Sequence, residues 1–567
     1  MRFHASILFS LVCFLNAQPQ LRVDPTQSRR PINPDIYGIN EYGVASGGKE
    51  FSLAGKYPFT LRRWGGDNSV SYNWKLDANN LAGNWYFETF PIDAPADHPV
   101  DADGLPNDST FDRWVARNQS AGFRSVATVP IIGWTTATRQ SKKCSYSVAK
   151  YGAQQKTDVY APDCGNGMSP DGKRALTNDP NDVYIEVGPD FAADWVTHVK
   201  QRFGSAEEGG VWLWELDNEP TWWHAVHRDI HPQLATFDEM LDRNVRWAAA
   251  IKAADPSAKV GGATPPGWES YFYSAKDLYA GWGTGPDYKY WNNPSDCKAH
   301  FADGICGGFI PWYLAQMRDQ EAARGVRLID YLDIHAYVGP DNLPGNYQPN
   351  RPQNDALRLT STRTFWDPNY MPPREDMKGM DAKHRIGNPQ LIPRMRRWID
   401  ENYPGTLLAI TEYNWGAPEH ITGALAQADL LGIFGREGVD LATIWGPPGE
   451  KQPASFAWRM FLNYDGRGGG FGETSVFAET TNADEISIFA AERKDGAVTI
   501  LLLNKTTADR SAQIDLANVP GSAQVWRYGT ADLTQILRQA DLNPDQGKLM
   551  IELPAYSLTL LVLNKAD

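Results

Sequence analysis

The sequence predicts an α/β chain: a (β/α)8 TIM barrel carrying an additional antiparallel β-sandwich domain. Three observations predict it. Between residues 36 and 460, eight short apolar runs rich in β-branched and aromatic residues alternate with helical stretches. After residue 460 the runs become short and alternating, with turn residues between them and no helix-length insertion. The chain has 567 residues, and single cores stop growing beyond about 250–300.

Taken in order, residues 1–17 read as a secretory signal. Arg2 supplies positive charge, 7–15 is mostly apolar, and Ala17 offers a small residue for cleavage. The run is shorter than the roughly 20 apolar residues a membrane span needs. Residues 18–35 contain a strand-like stretch at 21–23 and are expected to contribute to the sandwich. The barrel strands are expected at 36–42, 59–64, 125–132, 211–216, 258–263, 331–337, 407–412 and 441–445. Nearly continuous apolar character suits strands buried on both faces. Ser109-Thr110-Phe111-Asp112 opens one helix with a capping pattern, and Asn388-Pro389 is expected to start another with proline in its first turn. In 233–254, Leu234, Phe237, Leu241, Val245, Ala248 and Ile251 recur at helical spacing. The extra length lies in 75–108, 134–185, 264–310 and 339–385, rich in Trp, Tyr, Gly, Pro and Asn. Loops after barrel strands build the active site, so these insertions imply an extended binding cleft. Residues 461–567 supply the sandwich, with strands at 475–478, 485–491, 497–504, 512–516, 523–528, 549–553 and 557–563. No low-complexity linker separates this domain from the barrel (36–460), so the two are expected to pack together.

Composition narrows the function classes. Hydrophobic residues make up 42% and charged residues 22%, the profile of a folded chain. A formal net charge of −14 argues against nucleic acid and anionic membrane as partners. There are 21 Trp, 22 Phe and 24 Tyr; sugar stacking and large apolar cores explain such numbers equally well. With Cys13 in the signal, four cysteines remain, and proximity suggests the disulfides Cys144–Cys164 and Cys297–Cys306. The absence of a CxxC pair argues against zinc. Asn107, Asn118 and Asn504 match the glycosylation pattern.

Two strand ends carry the chemistry. The run Trp214-Glu215-Leu216-Asp217-Asn218-Glu219-Pro220 turns from apolar to polar and breaks at proline. The run 407–412 also ends in a glutamate, Glu412, and continues into Tyr413-Asn414-Trp415-Gly416. Hydrolysis of a glycosidic bond needs two carboxyl groups flanking it, and strand tips around one barrel mouth can supply them. One such glutamate is better read as a strand-end salt bridge; two, each bordered by Asn and Trp, favour catalysis. Arg63 is placed to hold the attacking carboxylate, the nucleophile, ionised, and His335 or Tyr337 to donate a hydrogen bond to Glu412. His335 alone would read as a core histidine. Trp445 suits a sugar platform or the core equally, and Trp64, Trp134, Trp222, Trp223, Trp366 and Trp415 are candidates for lining the cleft.

The segments Leu216-Asp217-Asn218-Glu219-Pro220, Thr411-Glu412-Tyr413 and Arg63-Trp64-Gly65-Gly66, with the following Ser71-Tyr72-Asn73-Trp74, resemble glycoside hydrolase family 44. Asn-Glu-Pro is shared across the wider clan, and the strand-2 segment is more specific. The resemblance covers essentially the whole chain after the signal. It implies a secreted, retaining endo-β-1,4-glucanase, often active on xyloglucan, with Glu219 as acid/base and Glu412 as nucleophile. In that mechanism Asn218 bonds the substrate 2-hydroxyl. The implied partners are xyloglucan, soluble cellulose and mixed-linkage glucan, bound by a monomer. No cofactor is required; a structural calcium ion is compatible with the family, with ligands not identifiable in the sequence. The alternatives are an exo-acting arabinofuranosidase or β-xylosidase of the same clan, and a non-catalytic carbohydrate-binding protein.

Overall fold

Eight parallel strands close on themselves in the computed structural model, which describes residues 19–41, 56–92, 109–280, 294–337, 352–373, 386–519 and 521–564. They are β1 (Gly38–Asn40), β2 (Leu61–Trp64), β3 (Arg124–Val129) and β4 (Val211–Leu216). β5 (Lys259–Ala263), β6 (Tyr331–His335), β7 (Leu407–Tyr413) and β8 (Leu441–Ile444) complete the barrel. Pairing of Thr443 with Gly38 and Ile444 with Ile39 joins the last strand to the first. Every strand overlaps one of the expected apolar runs. The signal at 1–17 and parts of the insertions at 75–108, 264–310 and 339–385 lie outside the described residues.

Side chains alternate along a strand, so residues two apart share a face. Leu61, Val126, Leu213, Tyr331, Ala409 and Leu441 form one apolar cluster. Two residues further along the same strands stand Arg63, Thr128, Glu215, Asp333, Thr411 and Thr443, all buried. One layer of the barrel interior is thus apolar and the next polar. Burying such groups is unfavourable unless they satisfy one another, and that layer is the floor of the site described below.

The helix Thr110–Ala121 begins where expected, with the Ser109 hydroxyl accepting from Asp112 N at 3.0 Å. The helix Phe237–Ala254 is capped by Thr236, which leaves Leu234 outside it. The expected start at Asn388-Pro389 is corrected: the helix is Leu391–Asn402, with Gln390 at its N-cap. Gln390 adopts a left-handed backbone conformation, φ 41°, so the helix cannot extend back to Pro389, and the Asn388 amide donates to Pro368 O at 2.7 Å. Two glycosylation candidates are also corrected. The buried Asn118 donates from Nδ2 to Ser125 Oγ, and Asn504 Nδ2 donates to three backbone carbonyls. Neither amide faces solvent; Asn107 lies outside the described residues.

The N-terminal strand Gln20–Asp24 pairs antiparallel with Thr474–Thr480 and parallel with Arg510–Leu516, tying the start of the described chain into the sandwich. Leu21, Val23, Ile488, Ile500, Ile514, Ile551 and Leu561 share its core. Within 461–567, one strand, Asp532–Leu542, has no counterpart among the expected ones. It lies at an end of the strand order and is mostly exposed or half-buried, so its polar sequence carries little alternation. Disulfides join Cys144 to Cys164 and Cys297 to Cys306.

The sandwich packs on the helix Ile421–Glu437, where the Gly432 backbone lies against the ring of Phe489 and Lys505 pairs with Asp429 at 3.3 Å. A methyl group at 432 meets that buried ring. Gly432→Ala is therefore expected to destabilise by about 1–3 kcal/mol, although alanine is the better helix former. A chemical-denaturation midpoint at or above the parent's would refute this close packing.

Candidate active site

β4 ends at Leu216, and the chain then turns sharply: Asp217 and Glu219 both adopt positive φ, 68° and 48°. That conformation costs L-residues roughly 1–2 kcal/mol each. It is held by the Asp217 carboxylate, which accepts from Ile131 N (2.7 Å), Ile132 N (3.1 Å), Trp223 Nε1 and Asn218 N (both 2.9 Å). Burial raises the Asp217 pKa to about 6 against these bonds. The turn carries Glu219 to the barrel mouth, where it remains half-buried.

β7 delivers Glu412 differently. Ile410 pairs with Ile334 of β6, but the next pair is Glu412 with His335, so β7 holds one extra residue. Such a bulge breaks the alternation of faces. Thr411 and Glu412, which a regular strand would point in opposite directions, both reach the barrel interior: Thr411 Oγ1 meets Glu215 and Asp333, while Glu412 meets Arg63.

The facing oxygens of Glu219 and Glu412 and Nδ1 of His335 lie within 4.8 Å of one another. This is the range of the ~5–5.5 Å carboxyl spacing used when one group attacks the sugar directly. Glu412 accepts from Arg63 Nη1 on Oε1 and from the Tyr337 hydroxyl on Oε2, both at 2.7 Å. His335 Nδ1 is 2.7 Å from Glu219 Oε1 and 3.5 Å from Glu412 Oε2. His335 therefore serves Glu219 and Tyr337 serves Glu412, which resolves the expectation that either would bond Glu412.

Arg63 organises the floor. Nε and Nη2 clamp Glu215 at 2.6 Å each, Nη2 also reaches Asn218 Oδ1 at 3.0 Å, and Nη1 reaches Asn40 Oδ1 at 2.9 Å. With Glu412, every N–H of the guanidinium has an acceptor. Burial opposes its charge, but Glu215 and Glu412 outweigh that and make Arg63 a permanent cation. Burial works against Glu215 as well; Arg63 and His335 hold its carboxyl well below the ordinary range. His335, disfavoured as a cation by burial, is pushed up to about 10 by Glu412, Glu215 and Glu219. Glu412 rises above its ordinary value because burial, reinforced by Glu219, exceeds the pull of His335, Arg63 and the Tyr337 hydroxyl.

Of the expected cleft residues, Asn218 is buried and bridges Arg63 to Asp67, donating to Asp67 Oδ1 at 3.0 Å. Trp445 is half-buried, its ring against Gly66 beside Arg63-Trp64-Gly65. Trp134 and Trp222 are half-buried, the latter 5.4 Å from the Tyr279 ring. The other tryptophans are corrected to structural roles. Arg63 faces inward, so Trp64 must face outward, where it packs on Phe111 and Trp114. Trp223 is buried by its bond to Asp217, and Trp415 by its bond to Ser361 Oγ and its contact with Phe365. Trp366 lies under the Arg436 guanidinium, which also covers Phe489 of the sandwich. Sequence reasoning missed Glu215, Asp333, Asn40, Asp67 and Thr411. The first two had a signal: each is an acid inside an apolar strand run.

Away from this centre, two acidic side chains, Glu88 and Asp158, meet. Both carboxylate oxygens of Glu88 are buried without a hydrogen-bond donor. Burial and the adjoining Asp158 carboxyl push the Glu88 pKa to about 7. Two carboxylates in contact need a shared proton or a cation, and all-oxygen donors of this kind fit calcium.

Residues 78–339 match the model of glycoside hydrolase family 44. A relative named beta-mannanase/endoglucanase A, from Caldicellulosiruptor saccharolyticus, is 28% identical over 546 residues, and the match covers 90% of this chain. The chain spans only 36% of that relative's length. The solved structure of CelM2, described as a bifunctional glucanase-xylanase from a metagenome library, superposes with a TM-score of 0.85 at 37% identity. That comparison covers 97% of this chain and 99% of the other. The Paenibacillus polymyxa xyloglucanase of family 44, solved with xyloglucan, gives a TM-score of 0.76 at 25% identity, covering 97% and 100%.

Proposed function

The chain belongs to glycoside hydrolase family 44, and from that membership we propose that it is a secreted, retaining endo-β-1,4-glucanase acting on xyloglucan and other soluble β-1,4-glucans. The single observation that carries the catalytic reading is the pair of glutamates, Glu219 and Glu412, meeting within 4.8 Å at the mouth of a closed barrel. The two disulfides support an oxidising, extracellular setting.

The reaction is double displacement. Glu219 passes a proton, shared along its 2.7 Å contact with His335, to the departing glycosidic oxygen. Glu412, its oxygens oriented by Arg63 and Tyr337, attacks the anomeric carbon and forms the glycosyl-enzyme. Glu219 then takes a proton from water, which releases the sugar with its configuration retained. Asn218, fixed between Arg63 and Asp67, presents its amide toward the 2-hydroxyl.

An endo-acting enzyme lowers the viscosity of soluble xyloglucan quickly while few reducing ends appear, and proton NMR shows the β-anomer first. Release of monosaccharide alone, or early α-anomer, overturns the reading. A pH profile adds a second check. Protonated Glu412 cannot attack, and its pKa is raised from 4.5. The acid limb of kcat/KM, which reports the free enzyme, is therefore expected above pH 4.5. A limb below that value contradicts the assignment.

Glu88 and Asp158 would hold a structural calcium ion, tying the 75–108 insertion to the one containing Cys144–Cys164. After chelation, calcium at a hundred times its Kd is expected to add about 2.7 kcal/mol of stability. Glu88→Gln should remove that increment; an equal rise in Tm in this variant would place the ion elsewhere.

A further inference from the structure

The Thr411 hydroxyl stands between two carboxyl groups, 2.7 Å from Asp333 Oδ1 and 3.0 Å from Glu215 Oε1. A hydroxyl has one proton, so it donates to one neighbour and must accept from the other. Glu215 already receives Arg63 Nε and Nη2 and the Thr128 hydroxyl, which identifies it as the ionised member. Asp333 has no such support. Among the described residues Thr411 is the sole hydrogen-bond partner of its carboxyl, whose buried Oδ2 has none. Beyond Oδ2 lies the bare backbone of Gly261, which offers no donor side chain. An ionised carboxylate left in this state is strongly disfavoured.

We propose that Asp333 is a neutral carboxylic acid in the working enzyme, donating to Thr411, which donates in turn to Glu215. The groups facing it agree. Glu215 on β4 repels a second anion, while Arg63 on β2 and His335 on β6 are engaged by Glu215, Glu219 and Glu412. The Tyr313 hydroxyl, on the helix Phe309–Arg324, is taken by Asn244. Burial and Glu215 together raise the Asp333 pKa well above the ordinary value, against His335, Arg63 and Thr411.

This makes Asp333 a positioning residue. Its proton sets the direction of the Thr411 hydroxyl, which anchors the bulged segment of β7 one residue before Glu412. It also keeps a fourth negative charge away from the two cations that serve Glu219 and Glu412. The functional consequence rests on Glu412 as nucleophile; the protonation of Asp333 does not.

Infrared spectroscopy of the full-length protein tests the proposal. A carbonyl stretch of a buried protonated carboxyl, shifted in D2O, is expected in the parent and absent in Asp333→Asn. Asp333→Ala should lower kcat/KM about tenfold, roughly one hydrogen bond's worth, and Asp333→Asn, whose amide still donates to Thr411, should recover most of the loss. The acid limb should stay in place in Asp333→Asn. Absence of the band, or an acid limb lowered by about one unit as expected when an anion beside a carboxyl is removed, overturns the proposal. If Asp333→Asn does not fold, Thr411→Val reads the same relay: the band must move when its acceptor is lost, and an unmoved band refutes it. Failure of azide rescue at Glu412 with the band intact would sink the nucleophile assignment alone.

Discussion

Glu412→Gly is expected to lose about 10⁴-fold or more in kcat, the scale seen when a nucleophile is removed. It should regain turnover of an activated aryl β-cellooligosaccharide when azide is added. Azide enters the space left by the carboxylate and attacks from that face, so the product is the α-glycosyl azide. Glu219→Ala is the complementary case. The covalent intermediate still forms from a substrate with a good leaving group, and azide then displaces Glu412 to give the β-glycosyl azide. The two anomers distinguish the two roles. Full activity in Glu412→Gly, or the β-azide from that variant, would reverse or remove the assignment. The geometry supporting it is specific: Glu412 is fixed by Arg63 and Tyr337 at 2.7 Å each, whereas among the described residues the Glu219 carboxylate is hydrogen-bonded by His335 alone, at 2.7 Å.

Arg63→Leu is expected to cost about 3–5 kcal/mol of stability, because breaking a buried pair leaves an uncompensated charge rather than a merely absent contact. Arg63 and Glu215 are both fully buried, so solvent cannot replace the lost clamp. The pH dependence follows from sign. The folded-state pKa of Glu215 is depressed, so the stability it contributes is present above the unfolded glutamate value and is lost as pH falls toward the folded one. The deficit of Arg63→Leu relative to the parent should therefore narrow in acid. Denaturant unfolding across that range measures it. Parent-like stability at neutral pH would mean that Glu215 takes up a proton at little cost, and would overturn the view of Arg63 as the centre of the floor. A second variant that also replaces Glu215 by leucine should recover part of the loss, since apolar groups of similar size often substitute for buried ion pairs.

Much of the fold was legible because a buried parallel strand leaves a plain mark. Runs such as Val211–Leu216 are apolar because helices or barrel interior cover both faces, and turn residues interrupt them. The strand Asp532–Leu542 left no such mark because it lies at an end of the strand order, largely outside the core. The start of the helix Leu391–Asn402 was misread for a different reason: Gln390 takes a left-handed backbone conformation that its residue type does not announce, which moves the start past Pro389. Tryptophan was the least informative residue. Trp64 and Trp445 both follow barrel strands in sequence, yet one faces the helix layer and the other the mouth.

The sequence by itself determined the eight strands, the glutamates ending the fourth and seventh, and the presence of an arginine on the second, because hydrophobic periodicity and residue type are local properties. The tertiary structure decided how these residues face one another. Period-two reasoning assigns faces only while a strand is regular, and the extra residue in β7 becomes visible only when Glu412 is paired with His335 of β6. Likewise, the two glutamates of β4 and its turn, Glu215 and Glu219, lie only four residues apart in the chain. Only the positive-φ turn at Asp217 and Glu219, pinned to the backbone after β3, places one in the floor and the other in the mouth. That placement depends on strands distant in sequence meeting around a closed barrel, which no single segment encodes.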